Sequence, residues 1–290
     1  MIAVLLFAVV FLSLWAVMYA VVPSLARTVR ASAGRLARWL RGHARAGRAF
    51  GRLEAWRSYL PLVVALASGT VIVVGAADAF TDIAAALKAH NPIVQRVDTT
   101  IYEWFSRSRT PFMNALFVGI TTVGGAVAMG LVVALTVILL TARRRFRWAA
   151  YLGITAVGGV LLNQLLKLHF ARQRPDLMGA ILGADGYSFP SGHTMGGTIV
   201  LGALGYLAAR SAPTWKGKSA VLAALATADL AIAISRLYLG VHWTSDILAG
   251  LAAGLLWVAA TTTAYELVRQ YRLQRASRAR GKTRRAASEG

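Results

Sequence analysis

The sequence predicts an all-α fold, a polytopic membrane helical bundle of seven spans, and three observations carry that prediction. Of the 290 residues, 57 % are hydrophobic and only 15 % charged, with positive mean hydropathy, a composition too apolar for an ordinary soluble domain. Seven runs, 2–22, 59–78, 111–141, 148–167, 193–210, 219–235 and 244–268, are nearly free of charge. Each is long enough to approach the ~20 residues that cross a bilayer core as a helix. Basic residues crowd alternate connections: stretches 23–58, 142–147, 210–218 and 269–290 hold 24 of the 32 Lys and Arg, and the other side holds 8. Because cationic connections stay in the cytoplasm, this asymmetry puts the amino terminus outside and the carboxyl tail inside.

The run 2–22 has no basic stretch ahead of it and no small-residue cleavage signature before Pro23, so it reads as a retained anchor, not a signal peptide. Residues 27–57 alternate arginines with Leu36, Trp39, Leu40, Phe50, Leu53 and Trp56, as an amphipathic helix on an anionic leaflet would. Together these make an amino-terminal unit, 1–58, followed by a membrane-embedded domain, 59–268, and a basic cytoplasmic tail, 269–290, expected to be disordered. A net charge of +21 invites a nucleic-acid reading. The arginines flank spans, however, so the partners expected are anionic lipids at the cytoplasmic face and no nucleic acid. Tyr102, Trp104 and Phe105 lie among charges within 82–109, which suits an interfacial segment on the outer face. There is no cysteine, hence no disulfide frame and no thiolate for a metal or for nucleophilic attack.

Three polar groups break the apolar pattern, and the charge asymmetry brings all of them to the extracytoplasmic side. The fourth span ends in Asn163 and, one turn on, Lys167, followed by Arg172, Arg174 and Pro175. The sequence Tyr187-Ser188-Phe189-Pro190-Ser191-Gly192-His193 opens the fifth, with Ser191 a plausible N-cap and Gly192 allowing close backbone approach. The unpaired N–H groups of such a helix start favour an anion. Ser235 and Arg236 end the sixth span, and His242 and Asp246 follow at the start of the seventh. Four residues apart, the imidazole and the carboxylate share one face of a first helical turn. A carboxylate there fixes the imidazole's tautomer and supports the cation formed when the other nitrogen attacks. Singly, each group also reads as snorkelling cations, an ordinary capped helix or an interfacial hairpin. Asp229, seven residues before Arg236 on the same stripe, reads as a hydrogen-bonding group within the bundle, and His169 as an interfacial histidine.

In sequence order these groups are Lys167, six residues, Arg174-Pro175; Pro190-Ser191-Gly192-His193; and Ser235-Arg236, five residues, His242, three residues, Asp246. That arrangement resembles the three-part signature of the type 2 phosphatidic acid phosphatase and vanadium haloperoxidase superfamily, over about residues 95–268. The resemblance implies a six-helix phosphatase core, to which the first span is an extra amino-terminal transmembrane helix, and a site that needs no metal or other cofactor. It implies His242 as nucleophile, Asp246 as its orienting carboxylate and His193 as the acid that protonates the leaving oxygen. Lys167, Arg174, Arg236, Ser191 and the Gly192 amide would cradle the phosphate. Two similar imidazoles then need opposite protonation states, which implies a bell-shaped pH dependence of turnover.

The expected activity is hydrolysis of a membrane lipid phosphate, phosphatidic acid, phosphatidylglycerol phosphate or undecaprenyl diphosphate, at the outer face of a bacterial inner or plasma membrane. Transfer of the phosphoryl group to an alcohol acceptor, or a non-catalytic scaffold, is the competing reading. Oligomeric state is not legible.

Overall fold

A computed structural model describes Arg35 and residues 60–175, 180–183 and 185–289. The expected span 2–22 and, Arg35 apart, the arginine-rich stretch 27–57 lie outside the described residues. Among the described residues from 60 onward there are eight helices: α1 (Leu60–Lys88), α2 (Pro92–Arg107), α3 (Pro111–Val123), α4 (Ala126–Ala142), α5 (Phe146–Phe170), α6 (Gly192–Ser211), α7 (Trp215–Tyr238) and α8 (Thr244–Glu289). There is no strand among the described residues.

Local chemistry sets several of the starts. Asn91 and Thr110 accept hydrogen bonds from the amides of Ile93 and Met113, and in both helices proline occupies the opening turn, where its missing N–H costs nothing. Thr214 does the same for α7 through the amide of Gly217. The helix α2 is amphipathic and short of a span, in keeping with an interfacial segment; Asp98 is its buried residue.

Among the described residues, four helices are long and apolar enough to cross a bilayer, Gly69–Lys88, Phe146–Phe170, Trp215–Tyr238 and Thr244–Ala276, and a bent pair, Pro111–Val123 with Ala126–Ala142, adds a fifth if it is one broken span. Val127, Ile154, Leu165 and Leu168 are each more than 60 % exposed on α4 and α5, which places a lipid-like solvent around them.

Several expectations change. The run 111–141 is not one helix: it breaks at Gly124-Gly125 and turns by 42°. A Cβ on Gly124 would lie 2.6 Å from Ile232, so the close packing of α3 on α7 requires glycine there. The second span continues as helix to Lys88, ten residues beyond 78, because no breaker precedes His90. The tail does not lose structure after Val268; Arg, Gln, Leu and Ala are good helix formers, and α8 continues to Glu289.

The expected fifth span is α6, which is not among the helices apolar enough to cross alone. Its position explains the composition: α6 packs against α4, α5, α7 and α8, so protein and not lipid surrounds it. Glycines and threonines replace bulk along its seam with α8. A Cβ on Gly254 would lie 2.7 Å from the Cβ of Thr198, and one on Gly250 would lie 3.0 Å from the carbonyl of Ser191.

That seam generates a prediction. Gly254→Ala should lower stability by about 1–3 kcal/mol, the usual cost of overpacking, read as a lower thermal midpoint in detergent. Gly130→Ala on α4, where a Cβ meets nothing within 4 Å, should leave the midpoint unchanged or slightly raised. Equal midpoints for the two variants would contradict a close α6–α8 contact.

Candidate active site

The carboxyl end of α5 carries Asn163 and Lys167 on one side. Ala171 then takes a left-handed conformation, φ 45°, turning the chain so that Arg172 and Arg174 leave the helix axis before Pro175. Across from them α6 begins at Gly192. A Cβ there would lie 3.2 Å from Asn163 Oδ1 and 3.8 Å from Lys167 Nζ, so the absence of a side chain lets the lysine approach the start of α6. Ser191 is the N-cap residue, as expected, but its hydroxyl does not cap; it accepts from Thr194 Oγ1 at 3.1 Å. The first-turn amides of α6 therefore have no side-chain cap, which suits an oxyanion at that helix start.

Arg174 is held by backbone carbonyls. Its Nε donates to Gly186 (2.9 Å), one terminal nitrogen donates to Val241 (2.9 Å), and the other to Asp185 (3.0 Å). The nitrogen that reaches Val241 also lies 3.2 Å from His242 Nε2. Burial draws the guanidinium below its ordinary range, while Asp246 and Asp185 oppose that by stabilising its charge.

His242 does not lie in a helical turn with Asp246; it sits in the link between α7 and α8, two residues ahead of Thr244. The pair nevertheless meets, His242 Nδ1 to Asp246 Oδ2, at 3.3 Å. Gly240 makes the link possible: its φ is +75°, and a Cβ would lie 2.5 Å from Arg109. With Nδ1–H directed at a carboxylate, Nε2 keeps its lone pair toward Arg174. Burial is the main force on the ring and pushes its pKa down to about 4, against the hydrogen bond and charge of Asp246, which raise it; Arg174 and Arg236 also lower it.

Arg236 is 5 % exposed and donates to Thr121 Oγ1 at 2.6 Å, while its Nε, also buried, has no hydrogen-bond partner. A buried cation with a donor to spare suits an anion. The bend of α3 into α4 serves this corner twice, since Thr121 precedes it and a Cβ on Gly125 would lie 3.6 Å from His193 Nε2. Arg236, His242, Lys167 and Arg174 all lie within electrostatic reach of His193. His193, His242, Lys167, Arg174 and Arg236 thus lie near one another, with Gly192 beside Lys167 and Asp246 behind His242.

Two residues that support the site escaped sequence reasoning. Asp246 is fully buried, and besides His242 it accepts from the amide of Trp243 at 3.0 Å and from Arg172 at 2.5 Å. Arg172, which reads in sequence as one more cation at a membrane edge, bridges to a second buried carboxylate, Asp98 of α2, at 2.8 Å. Asp98 also accepts from the amide (2.9 Å) and hydroxyl (2.6 Å) of Ser245. The pairing Asp98–Arg172–Asp246 joins three distant parts of the chain and leaves no periodic trace; only the Arg-x-Arg-Pro spacing marks Arg172 at all. His169 is directed elsewhere, with Nε2 3.4 Å from Lys88 Nζ, and Asp229 accepts from Thr198 within the bundle at 2.7 Å. Among the described residues, no three of His, Asp and Glu gather as metal ligands.

The model of the family described as the PAP2 superfamily matches residues 147–269, which contain all three signature groups but neither Asp98 nor Thr121. Phosphatidylglycerophosphatase B of Bacillus subtilis is 33 % identical over 181 residues, 61 % of this chain and 86 % of that protein. The crystal structure of a transmembrane PAP2 type phosphatidylglycerolphosphate phosphatase from Bacillus subtilis superposes with a TM-score of 0.63, at 28 % identity, over 68 % of this chain and 96 % of that one.

Two outcomes follow from the geometry. Nitrogen-15 histidine spectra should show His242 neutral down to about pH 4. Because the unfolded chain takes up this proton near its ordinary value, 6.5, the ring works against folding progressively as pH falls from there toward 4. A His242 midpoint at or above 6.5 would contradict the assignment. Arg172→Ala, which strands two buried carboxylates, should cost about 3–5 kcal/mol of stability in denaturant unfolding. A change under about 1 kcal/mol would mean that the bridge behaves as a surface pair.

Proposed function

The chain belongs to the PAP2 superfamily, and from that membership we propose that it hydrolyses a lipid phosphomonoester or diphosphate through a phosphohistidine intermediate at the extracytoplasmic membrane face. The observation that carries this reading is the His242 ring, buried between a carboxylate on Nδ1 and the Arg174 guanidinium 3.2 Å from Nε2.

The chemistry follows from the positions. A phosphoryl group enters among Lys167, Arg174, Arg236 and the first amides of α6, whose fixed positive charge and dipoles meet the charge that develops on its oxygens. His242 Nε2 attacks phosphorus, the bond to the lipid oxygen breaks, and His193 gives that oxygen its proton. Water then attacks the phosphoryl group, the N–P bond breaks, and His193 takes the water's proton, releasing inorganic phosphate. Two moderate steps replace one hard one. Asp246 steadies the imidazolium during transfer, and Asp98 through Arg172 holds Asp246 in place.

A cavity of about 420 Å³ reaches Arg172, the partner of Asp246, and its lining, which mixes Lys88, His90, Asn91 and Gln95 with Leu87, Val94, Phe170 and Phe189, is a candidate for the remainder of a head group. The names of the Bacillus proteins make phosphatidylglycerol phosphate the first substrate to test, ahead of phosphatidic acid and undecaprenyl diphosphate. The outward face rests on the charge asymmetry of 24 against 8 basic residues.

Purified protein incubated with these three lipids should release inorganic phosphate, and His242→Ala should abolish the release. His193→Ala should lose several orders of magnitude on poor leaving groups and much less on an aryl phosphate whose oxygen needs no proton. Equal loss on both would remove His193 from the role of acid. Phosphorylated glycerol in place of inorganic phosphate, when glycerol is added, would make the enzyme a phosphotransferase instead.

A further inference from the structure

At the other end of the bundle, where α5 begins and α8 emerges, two cavities share a wall. One, of about 730 Å³, is basic and aromatic, lined among others by Arg144, Arg145, Trp148 and Leu273. The other, of about 370 Å³, is largely apolar and runs along the α5–α8 cleft past Ala150, Ile154, Ala264 and Val268. Arg147, Tyr265, Arg269 and Arg272 belong to both, so the basic chamber and the apolar groove lie side by side against the same residues.

The cleft faces outward from the bundle: Ile154 is 67 % and Val268 52 % exposed. Glu266, the carboxylate in this region, is already engaged by Arg210 and Arg269. Among the described residues no carboxylate pairs with Arg144, Arg145, Arg147 or Arg272, and Arg145 stacks over Trp148 at 5.0 Å. Uncompensated arginines at the rim of an outward apolar cleft match a molecule with an anionic head and a hydrocarbon tail. From Arg147 to Thr155 the groove follows eight residues of helix, roughly 12 Å at 1.5 Å per residue, which is the reach of part of one acyl chain. A soluble polyanion would use the chamber and leave the groove empty.

The catalytic cluster is far away. Lys167 lies twenty residues along α5 from Arg147, roughly 30 Å, about the thickness of the hydrocarbon core. A lipid in this groove therefore belongs to the opposite leaflet from the one that feeds the catalytic groups. We infer that the α5–α8 cleft is a second, non-catalytic site that holds an anionic glycerophospholipid, its head group among Arg144, Arg145, Arg147 and Arg272 and one chain against Ile154 and Val268. Such a lipid braces the two helices whose far ends carry Lys167 and Asp246. Nothing in this assignment depends on the catalytic reading.

The test uses the full chain in neutral detergent, stripped of lipid, with saturating vanadate in every sample so that the catalytic cluster is occupied. Dioleoyl phosphatidylglycerol should raise the thermal midpoint by several degrees, and dioleoyl phosphatidylcholine or inorganic phosphate should not. The doubly substituted Arg147→Gln/Arg272→Gln protein should bind phosphatidylglycerol about 30-fold more weakly, the effect of two surface arginines. Ala264→Trp, which fills the groove at an exposed position, should abolish the midpoint shift while leaving the charges intact. Equal stabilisation by phosphatidylcholine, an equal shift from inorganic phosphate alone, or an undiminished shift in both substituted proteins would overturn the site.

Discussion

Asp246 has no contact with water, and the geometry of the cluster around His242 depends on how its charge is balanced. An isolated carboxylate at such depth would be costly enough to take up a proton or reorganise its surroundings. Here Arg172, the Trp243 amide and the His242 ring share it, and Asp98 holds the other end of Arg172. The consequence is directional. Both carboxylate oxygens are committed, so the His242 ring can take only the orientation that presents Nε2 to Arg174. The amide of Ser191 also donates to the Asp246 carbonyl at 3.0 Å, which ties the start of α6 to the start of α8.

Membrane packing reinforces that arrangement. The polar cluster sits where α5, α6, α7 and α8 come together at one end. The helix at the centre, α6, is the one whose glycines and threonines let its neighbours close around it. A larger side chain at Gly192, Gly250 or Gly254 would move α6, and with it His193, away from the α7–α8 link that carries His242. Small residues that lower the apolar content of α6 are thus what let His193 at the start of α6 approach His242 in the α7–α8 link.

Much of this was legible in the amino-acid order, and what was not shares a physical reason. Helix positions follow from runs of apolar residues, and the three polar groups stand out because cations and imidazoles are costly at a bilayer edge unless they have work there. The spacing of His242 and Asp246 was readable as a pair, although the imidazole proves to precede the helix. The break at Gly124-Gly125 was hidden inside an uninterrupted apolar run, since hydropathy averages over a bend and only packing against Ile232 calls for it. Asp98 and Arg172 are 74 residues apart, and no periodicity links an ion pair across that distance. The tail's helix was obscured by its charge, which reads as disorder until the preceding helix is seen to propagate into it.

The bundle emerges as a two-ended object, with a buried cluster of cations, imidazoles and carboxylates at one end of α5 and α8 and an arginine-rimmed cleft at the other. The most direct measurement of what the first end does is rapid quenching of the purified enzyme during turnover of a lipid phosphate in alkaline denaturant, followed by peptide mass spectrometry. A phosphoryl group on His242, formed and lost at rates compatible with turnover, is the expected result. Phosphoryl label on a different residue, or undiminished turnover by His242→Ala, would contradict it.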